Sequence, residues 1–301
     1  MAEQSGGMSG KTVLITGATS GIGEVAAREL AAKGAKVVLI GRSAAKCEAT
    51  AAMIRQATGN PAVEFLVADL SSQAEVRRLA AEIKTRYPRI DVLVNNAGAM
   101  ISPRRESADG IEMTWALNHI GYFLLTDLLL DTLKASAPSR VVSVASDAHR
   151  MASGIDWDDV EGKKSYSAWR AYSQSKLANV LFTRELARRL EGSGVTANCL
   201  HPGFVATNFA AGRGLTFRIF QVGAKLFAIT PEEGAKTTVY LASSPEVEGA
   251  SGGYYSKCKL VTPTAAARDD EAARRLWDLS EAMVGRRPAG TPGTGADSVV
   301  D

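Results

Sequence analysis

The chain has 301 residues, 46% hydrophobic and 22% charged, with a formal net charge of +3 at pH 7. Such a hydrophobic share excludes intrinsic disorder, and 28 glycines without a Gly-X-Y period exclude a collagen-like repeat. The small charge and the lack of any long like-charge run leave no concentrated basic field, so no nucleic-acid partner is expected.

Residues 1–10 (MAEQSGGMSG) are polar and glycine-rich and read as a disordered segment without a signal peptide. Thr12–Thr16 (TVLIT) and Lys36–Ile40 (KVVLI) are almost wholly apolar, as buried parallel strands are, and the amphipathic Ile22–Lys33 lies between them. Gly34 suits the left-handed position just past that helix. The unit then repeats, with a helix over Ala44–Thr58 ended by Gly59-Asn60-Pro61, a strand over Val63–Ala68, and a helix to Tyr87 opened by a Ser72/Glu75 capping box. Asp91–Asn95 is the fourth strand. A long helix from about Asp109 to Lys134, a strand Arg140–Ala145, a helix Tyr172–Leu190, a strand Thr196–Leu200 and a last strand near Tyr254–Leu260 follow.

The periodicity predicts an α/β fold, a doubly wound parallel sheet of about seven strands with helices on both faces, in a single domain over 11–284. Ligands on such a sheet lie at the carboxyl ends of the strands, near the point where strand order reverses. Leu215–Ile229 (LTFRIFQVGAKLFAI) carries apolar residues at helical spacing. Three readings of it stay open: a core helix, a lid over an apolar substrate, or a basic amphipathic patch making peripheral membrane contact. The Pro/Gly/Ser-rich tail 285–301 is expected to be disordered, and no stretch has the ~18 uncharged apolar residues of a transmembrane segment.

Three elements carry chemistry. Thr16 to Gly23 (TGATSGIG) joins the first strand to the first helix, where Gly17 permits a tight turn, Gly21 lets a diphosphate sit on the helix amides, and Gly23 permits close packing. Taken alone, the glycines also fit a mere packing device. Gly6–Thr12 (GGMSGKT) imitates a Walker A loop, but it has Ser5 where the first glycine belongs and precedes its strand, so it is set aside. After the second strand comes Gly41-Arg42-Ser43, with no Asp or Glu from Val37 to Cys47; the Arg42 fork matches a 2′-phosphate and favours NADP(H) over NAD(H). Tyr172 and Lys176 share a helix face at i, i+4, an ammonium there would favour the phenolate, and Ser146 stands at a strand's carboxyl end, where its hydroxyl can polarise a carbonyl.

In order along the chain, TGATSGIG at 16–23, Asp69-Leu70, NNAG at 95–98, Asn118, Ser146, Tyr172 with Lys176, and His201-Pro202-Gly203 through Thr207 resemble the short-chain dehydrogenase/reductase family. The resemblance covers Lys11 to about Leu279. LNHIGYFLLT at 117–126, AYSQSKLANVLFTRELARRL at 171–190, TPEEGAK at 230–236, AARRLWDLS at 272–280 and a long insert with Asp156-Trp157-Asp158-Asp159 resemble its retinol dehydrogenase-like branch. This implies a Rossmann-type oxidoreductase that interconverts an apolar alcohol and its aldehyde or ketone, with reduction favoured. By the resemblance, Gly17, Ser20, Gly21, Ile22 and Gly23 hold the cofactor diphosphate. Asp69 and Leu70 adjoin adenine, Asn96, Ala97 and Gly98 line the adenosine ribose, and Pro202, Gly203, Val205 and Thr207 adjoin nicotinamide. Tyr172 is then the general acid/base, Lys176 binds the nicotinamide ribose and lowers the Tyr172 pKa, Ser146 holds the substrate oxygen, and Asn118 supports a relay water. Homo-oligomers are usual in the family, and the sequence leaves the state open.

Two rivals share the fold. A non-catalytic NADP-binding sensor or interaction protein is opposed by the presence of Asn118, Ser146, Tyr172 and Lys176, and a sugar-nucleotide epimerase needs more chain than follows Thr207. Ser146-Asp147-Ala148-His149 makes no hydrolase triad; His149 is expected at the rim or facing solvent, and His201 in a structural place at the end of the sixth strand, with cofactor contact left open. The histidines lack ligand-type partners at helical spacing, so no metal site is expected, and the scattered Cys47, Cys199 and Cys258 suit a reducing cytoplasm.

Overall fold

The computed structural model describes residues 7–203 and 229–285 and the backbone of 210–211. Its strands are β1 (Thr12–Thr16), β2 (Lys36–Gly41), β3 (Val63–Val67), β4 (Val92–Asn95), β5 (Met100–Ile101), β6 (Ser139–Val144), β7 (Val195–His201), β8 (Ala210–Ala211), β9 (Tyr254–Ser256) and β10 (Lys259–Leu260). Eight of them form one sheet in the order β10-β9-β7-β6-β4-β1-β2-β3, and β5 pairs with β8 apart from it. All sheet neighbours are parallel except the β9–β10 hairpin. Ile15 of β1 aligns with Leu39 of β2 on one side and Val94 of β4 on the other, so the order reverses at β1 and a crevice opens beyond the carboxyl ends of β1 and β4.

Helices α1 (Gly21–Ala32), α2 (Ala44–Thr58), α3 (Gln73–Arg86), α4 (Met113–Trp115), α5 (Gly121–Ala135), α6 (Ala168–Arg189), α7 (Pro231–Ser243) and α8 (Asp270–Met283) cover both faces. On one face Leu79, Ile83, Phe123, Leu181, Leu186 and Trp277 join a continuous buried cluster; on the other, Leu30, Ile54 and Leu241 do so. Each such side chain contributes about 1.5–3 kcal/mol by leaving water. Phe123, Phe182 and Trp277 meet with ring centroids 4.9–6.0 Å apart, which seats α8 on α5 and α6. Among the described residues no helix is long and apolar enough to cross a membrane.

Four expectations are revised. The long helix does not start at Asp109, because Glu106 and Glu112 form an antiparallel bridge and the Glu112 carboxylate caps the Thr114 and Trp115 amides at 2.9 and 2.8 Å. Between α4 and α5 the chain makes a π-helical turn, Ala116–Ile120. The last predicted strand is a hairpin of two strands, with Lys257 and Cys258 both at positive φ as a type I′ turn requires. Helix α6 begins at Ala168, four residues before Tyr172, where the Ser167 hydroxyl accepts the Arg170 amide at 3.5 Å. Gly7–Gly10 form a turn in which Met8 is buried and its amide donates to the Lys33 carbonyl at 3.2 Å, so the stretch read as disordered is ordered from Gly7. Residues 1–6, 215–228 and 286–301 lie outside the described residues.

His119, on the π-helical turn, is fully buried between α5, α6 and α8, and its Nε2 lies 2.7 Å from the Ser280 hydroxyl. Burial pushes its pKa from the usual 6.5 to about 3. The unfolded chain therefore binds a proton between pH 6.5 and 3 that the folded chain refuses, and stability falls as pH drops through that window. From pH 6.5 to 5 the expected loss at this residue is about 2 kcal/mol. Denaturant unfolding of the native protein and of His119→Gln at both pH values checks it, because the variant should lose correspondingly less.

Candidate active site

The crevice is built first from β1. Thr16 is buried, and its hydroxyl donates to the Val94 carbonyl at 3.3 Å while accepting the Asn96 and Ala97 amides at 2.8 and 3.0 Å. The Asn96 side-chain amide donates to the Thr16 and Gly17 carbonyls at 2.8 and 3.2 Å. These bonds draw the β1–α1 turn against the end of β4. Gly17 has φ 65°, and a Cβ there would lie 2.8 Å from Ala97 Cα; one on Gly23 would lie 2.5 Å from both Asn96 Nδ2 and the Gly17 carbonyl. Ser20 precedes α1 in extended conformation without capping it, whereas Ser43, Ser72, Ser167, Thr230 and Asp269 each cap their helix. The first amides of α1, after Gly21 and Ile22, thus point past the sheet edge without a side-chain acceptor at Ser20, an arrangement suited to a diphosphate.

Arg42 is exposed directly after β2, and among the described residues it makes no ion pair or side-chain hydrogen bond. The Asp69 carboxylate accepts the Ser71 amide and hydroxyl at 3.0 and 2.7 Å. Leu70 belongs to the core, so its side chain is turned away from the crevice and only its backbone can adjoin a ligand. Asn96 is likewise committed, as its amide supports the glycine turn.

The second half of the site gathers on α6 and the π-helical turn. Asn118 is fully buried; its Oδ1 accepts the Ala99 amide at 2.9 Å, and its Nδ2 donates to the Ala99 carbonyl at 3.0 Å and the Ser175 hydroxyl at 2.9 Å. Ser175 donates in turn to the Tyr172 carbonyl at 2.7 Å. A Cβ on Gly98 would stand 3.2 Å from Asn118 Oδ1 and 3.4 Å from Lys176 Nζ, so this glycine, the asparagine and the lysine meet at one point. Lys176 Nζ donates to the Val144 carbonyl at 2.9 Å, which also accepts from Asn179 at 3.3 Å, and lies 5.6 Å from the Tyr172 ring centroid. Thr16, Ser175 and Asn179 escaped the sequence reading; their positions beside NNAG and within the Tyr172–Lys176 helix turn were the available signal.

The electrostatics depart from expectation. Burial lowers Lys176 from its usual 10.5 to about 7, and burial raises Tyr172 above its usual 10, opposed by a hydrogen bond with Ser146. Desolvation dominates the buried phenol and the Lys176 ammonium is directed at the Val144 carbonyl, so the expected depression of the Tyr172 pKa is not found in this arrangement.

Ser146 follows β6 and opens the 3-10 turn Asp147–Met151, its hydroxyl accepting the Ala148 amide at 3.1 Å. His149 is buried behind it, not at the solvent-facing rim, because its ring packs edge-on against Tyr254 with centroids 5.0 Å apart. His201 ends β7; its Nδ1 accepts the Asp147 amide at 3.2 Å, and Pro202 and Gly203 follow, the latter at φ 94°. Val205 and Thr207 lie outside the described residues. The insert is anchored: Asp159 accepts the Lys163 and Lys164 amides at 2.7 and 3.0 Å, and Tyr166 donates to the Ile101 carbonyl at 2.6 Å. It is thereby fastened to β5.

With this geometry the wider relationships are informative. The short chain dehydrogenase family profile matches residues 11–216. Human retinol dehydrogenase 14 is 47% identical over 296 residues, covering 92% of this chain and 87% of that protein. A solved structure of an uncharacterized protein from Mycobacterium paratuberculosis has a TM-score of 0.75 at 37% identity, over 93% of this chain and 95% of that one. The Pseudomonas aeruginosa RhlG/NADP complex has a TM-score of 0.64 at 28% identity, over 83% and 96%. The chain belongs to the short chain dehydrogenase family. Within it, the chain is retinol dehydrogenase-like, and it is an oxidoreductase of that class.

Gly23→Ala tests the clasp at its tightest point. Its methyl group would force apart backbone and the Asn96 amide, so dinucleotide affinity should fall by at least about tenfold, a loss of about 1.4 kcal/mol. Fluorescence titration with NADPH measures it, and unchanged affinity would refute the close approach.

Proposed function

We propose that the protein catalyses NADP(H)-dependent interconversion of an apolar alcohol and its aldehyde or ketone, chiefly as a reductase. The observation that carries this reading is the convergence of Gly98, Asn118 and Lys176 beside Tyr172, with Ser146 hydrogen-bonded to its phenol. The uncapped start of α1 and the close-packed glycine turn fit a dinucleotide diphosphate, and Arg42 fits a 2′-phosphate. A bound nicotinamide supplies or accepts the hydride. RhlG, whose solved complex contains NADP, supports the phosphorylated cofactor.

In reduction, Ser146 and Tyr172 donate to the substrate carbonyl oxygen. The raised Tyr172 pKa keeps the phenol protonated at neutral pH, the form that a proton donor needs. Lys176, with a pKa of about 7, gains and loses a proton readily near neutrality, and Asn118, locked on Ala99 and Ser175, holds the entry to the relay. An apolar substrate is supported by an exposed aromatic ring beside Tyr172: Trp169 is 39% exposed, with its ring 6.4 Å from that of Tyr172. The name of the retinol dehydrogenase relatives points the same way. The free thiols of Cys47, Cys199 and Cys258 support a reducing, cytoplasmic setting.

Tyr172→Phe should lower carbonyl reduction by about two to four orders of magnitude while NADPH still binds. Following nicotinamide absorbance against aldehydes and ketones of increasing apolar length provides the test, and near-normal turnover in the variant would sink the mechanism. Arg42→Ala should weaken NADPH by about 1.5–3 kcal/mol and leave NADH nearly unaffected. Equal losses for both cofactors, measured by titration, would refute the 2′-phosphate assignment.

A further inference from the structure

His149 has no part in the proton path, yet both nitrogens of its buried ring have a backbone partner. The Thr264 amide donates to its Nε2 at 3.4 Å, which leaves the ring proton on Nδ1, and Nδ1 donates to the Ser146 carbonyl at 2.7 Å. The same carbonyl accepts the His149 backbone amide at 3.1 Å. The Ser146 hydroxyl accepts the Ala148 amide, so both oxygens of this one residue are held from within its own short turn. Beyond it, the Asp147 carboxylate accepts Tyr254 at 2.9 Å and Arg150 at 3.1 Å, while Arg150 reaches the Thr262 carbonyl at 3.4 Å. Residues 254–264 are therefore fastened to the turn that carries Ser146, and His149 is the buried bolt between them.

We infer that His149 is a positioning residue for Ser146, fixing the serine's carbonyl, and through the turn the direction of its hydroxyl, against the backbone at Thr264. The inference rests on the reading of Ser146 as the group that holds the substrate oxygen. His149 touches neither that oxygen nor the proton relay; it acts only through the serine. A neutral ring with one donor and one acceptor satisfies both partners at once, and an apolar ring of similar size satisfies neither.

A double-mutant cycle tests this on the full-length protein with NADPH and a carbonyl substrate. In the native background His149→Phe should lower kcat about tenfold with unchanged NADPH affinity; in a Ser146→Ala background the same change should cost about twofold or less. An equal fold-loss in both backgrounds makes His149 a purely structural residue and overturns the inference. Should His149→Phe not fold, two polar variants carry the test. His149→Asn keeps a donor near Nδ1 and should retain most of kcat, whereas His149→Gln reaches the Nε2 position and should not; equal kcat in the two overturns the inference. Native turnover in Ser146→Ala alone instead overturns the underlying reading of the serine, which separates the two failures.

Discussion

The close approach of the β1–α1 turn to the end of β4 is the constraint on which the site depends. Thr16 spends one hydroxyl on three backbone groups, and Asn96 spends its amide on two more, so the two strand ends are tied where parallel strands would otherwise diverge. The tie fixes where the first helix begins and where Gly98 stands, and Gly98 in turn borders Asn118 and Lys176. Removing side-chain volume at Gly17 and Gly23 is the counterpart of that tie. The glycines provide the room, and the threonine and asparagine provide the force.

A second constraint is dryness. Asn118, Ser175, Lys176 and Asn179 form a buried polar layer between α6 and the sheet, each with a directed partner. A low-dielectric layer disfavours charge on lysine and phenol alike, which is why Lys176 falls toward neutrality while Tyr172 rises. The layer is tolerable because the Val144 carbonyl, left free at the end of β6, accepts from both Lys176 and Asn179. A strand end thus supplies the acceptor that holds the lysine in place.

Much of this was legible in the residues. Parallel strands announced themselves as apolar runs, and the alternation of β and α units pointed to a doubly wound sheet, whereas the place where strand order reverses came from the pairing itself. What failed had local causes. The helix start near Asp109 was misplaced because a carboxylate, Glu112, serves as cap, and the π-helical turn leaves no mark in a 3.6-residue pattern. His149 was placed outward, whereas its burial is decided by packing on Tyr254, more than a hundred residues away. The pKa of Tyr172 was misjudged because spacing on a helix reveals a neighbour but not how deeply both are buried.

That last point bears on how the phenol is poised. A phenol whose pKa is held up by burial stays protonated at neutral pH and parts with its proton less readily than in water. The hydrogen bond with Ser146 acts in the opposite sense and draws the Tyr172 pKa down. Burial and serine therefore pull the same group in opposite directions, and burial prevails. The lowered Lys176 and the raised Tyr172 thus share one cause, desolvation, which acts without a fixed cation against the tyrosine oxygen.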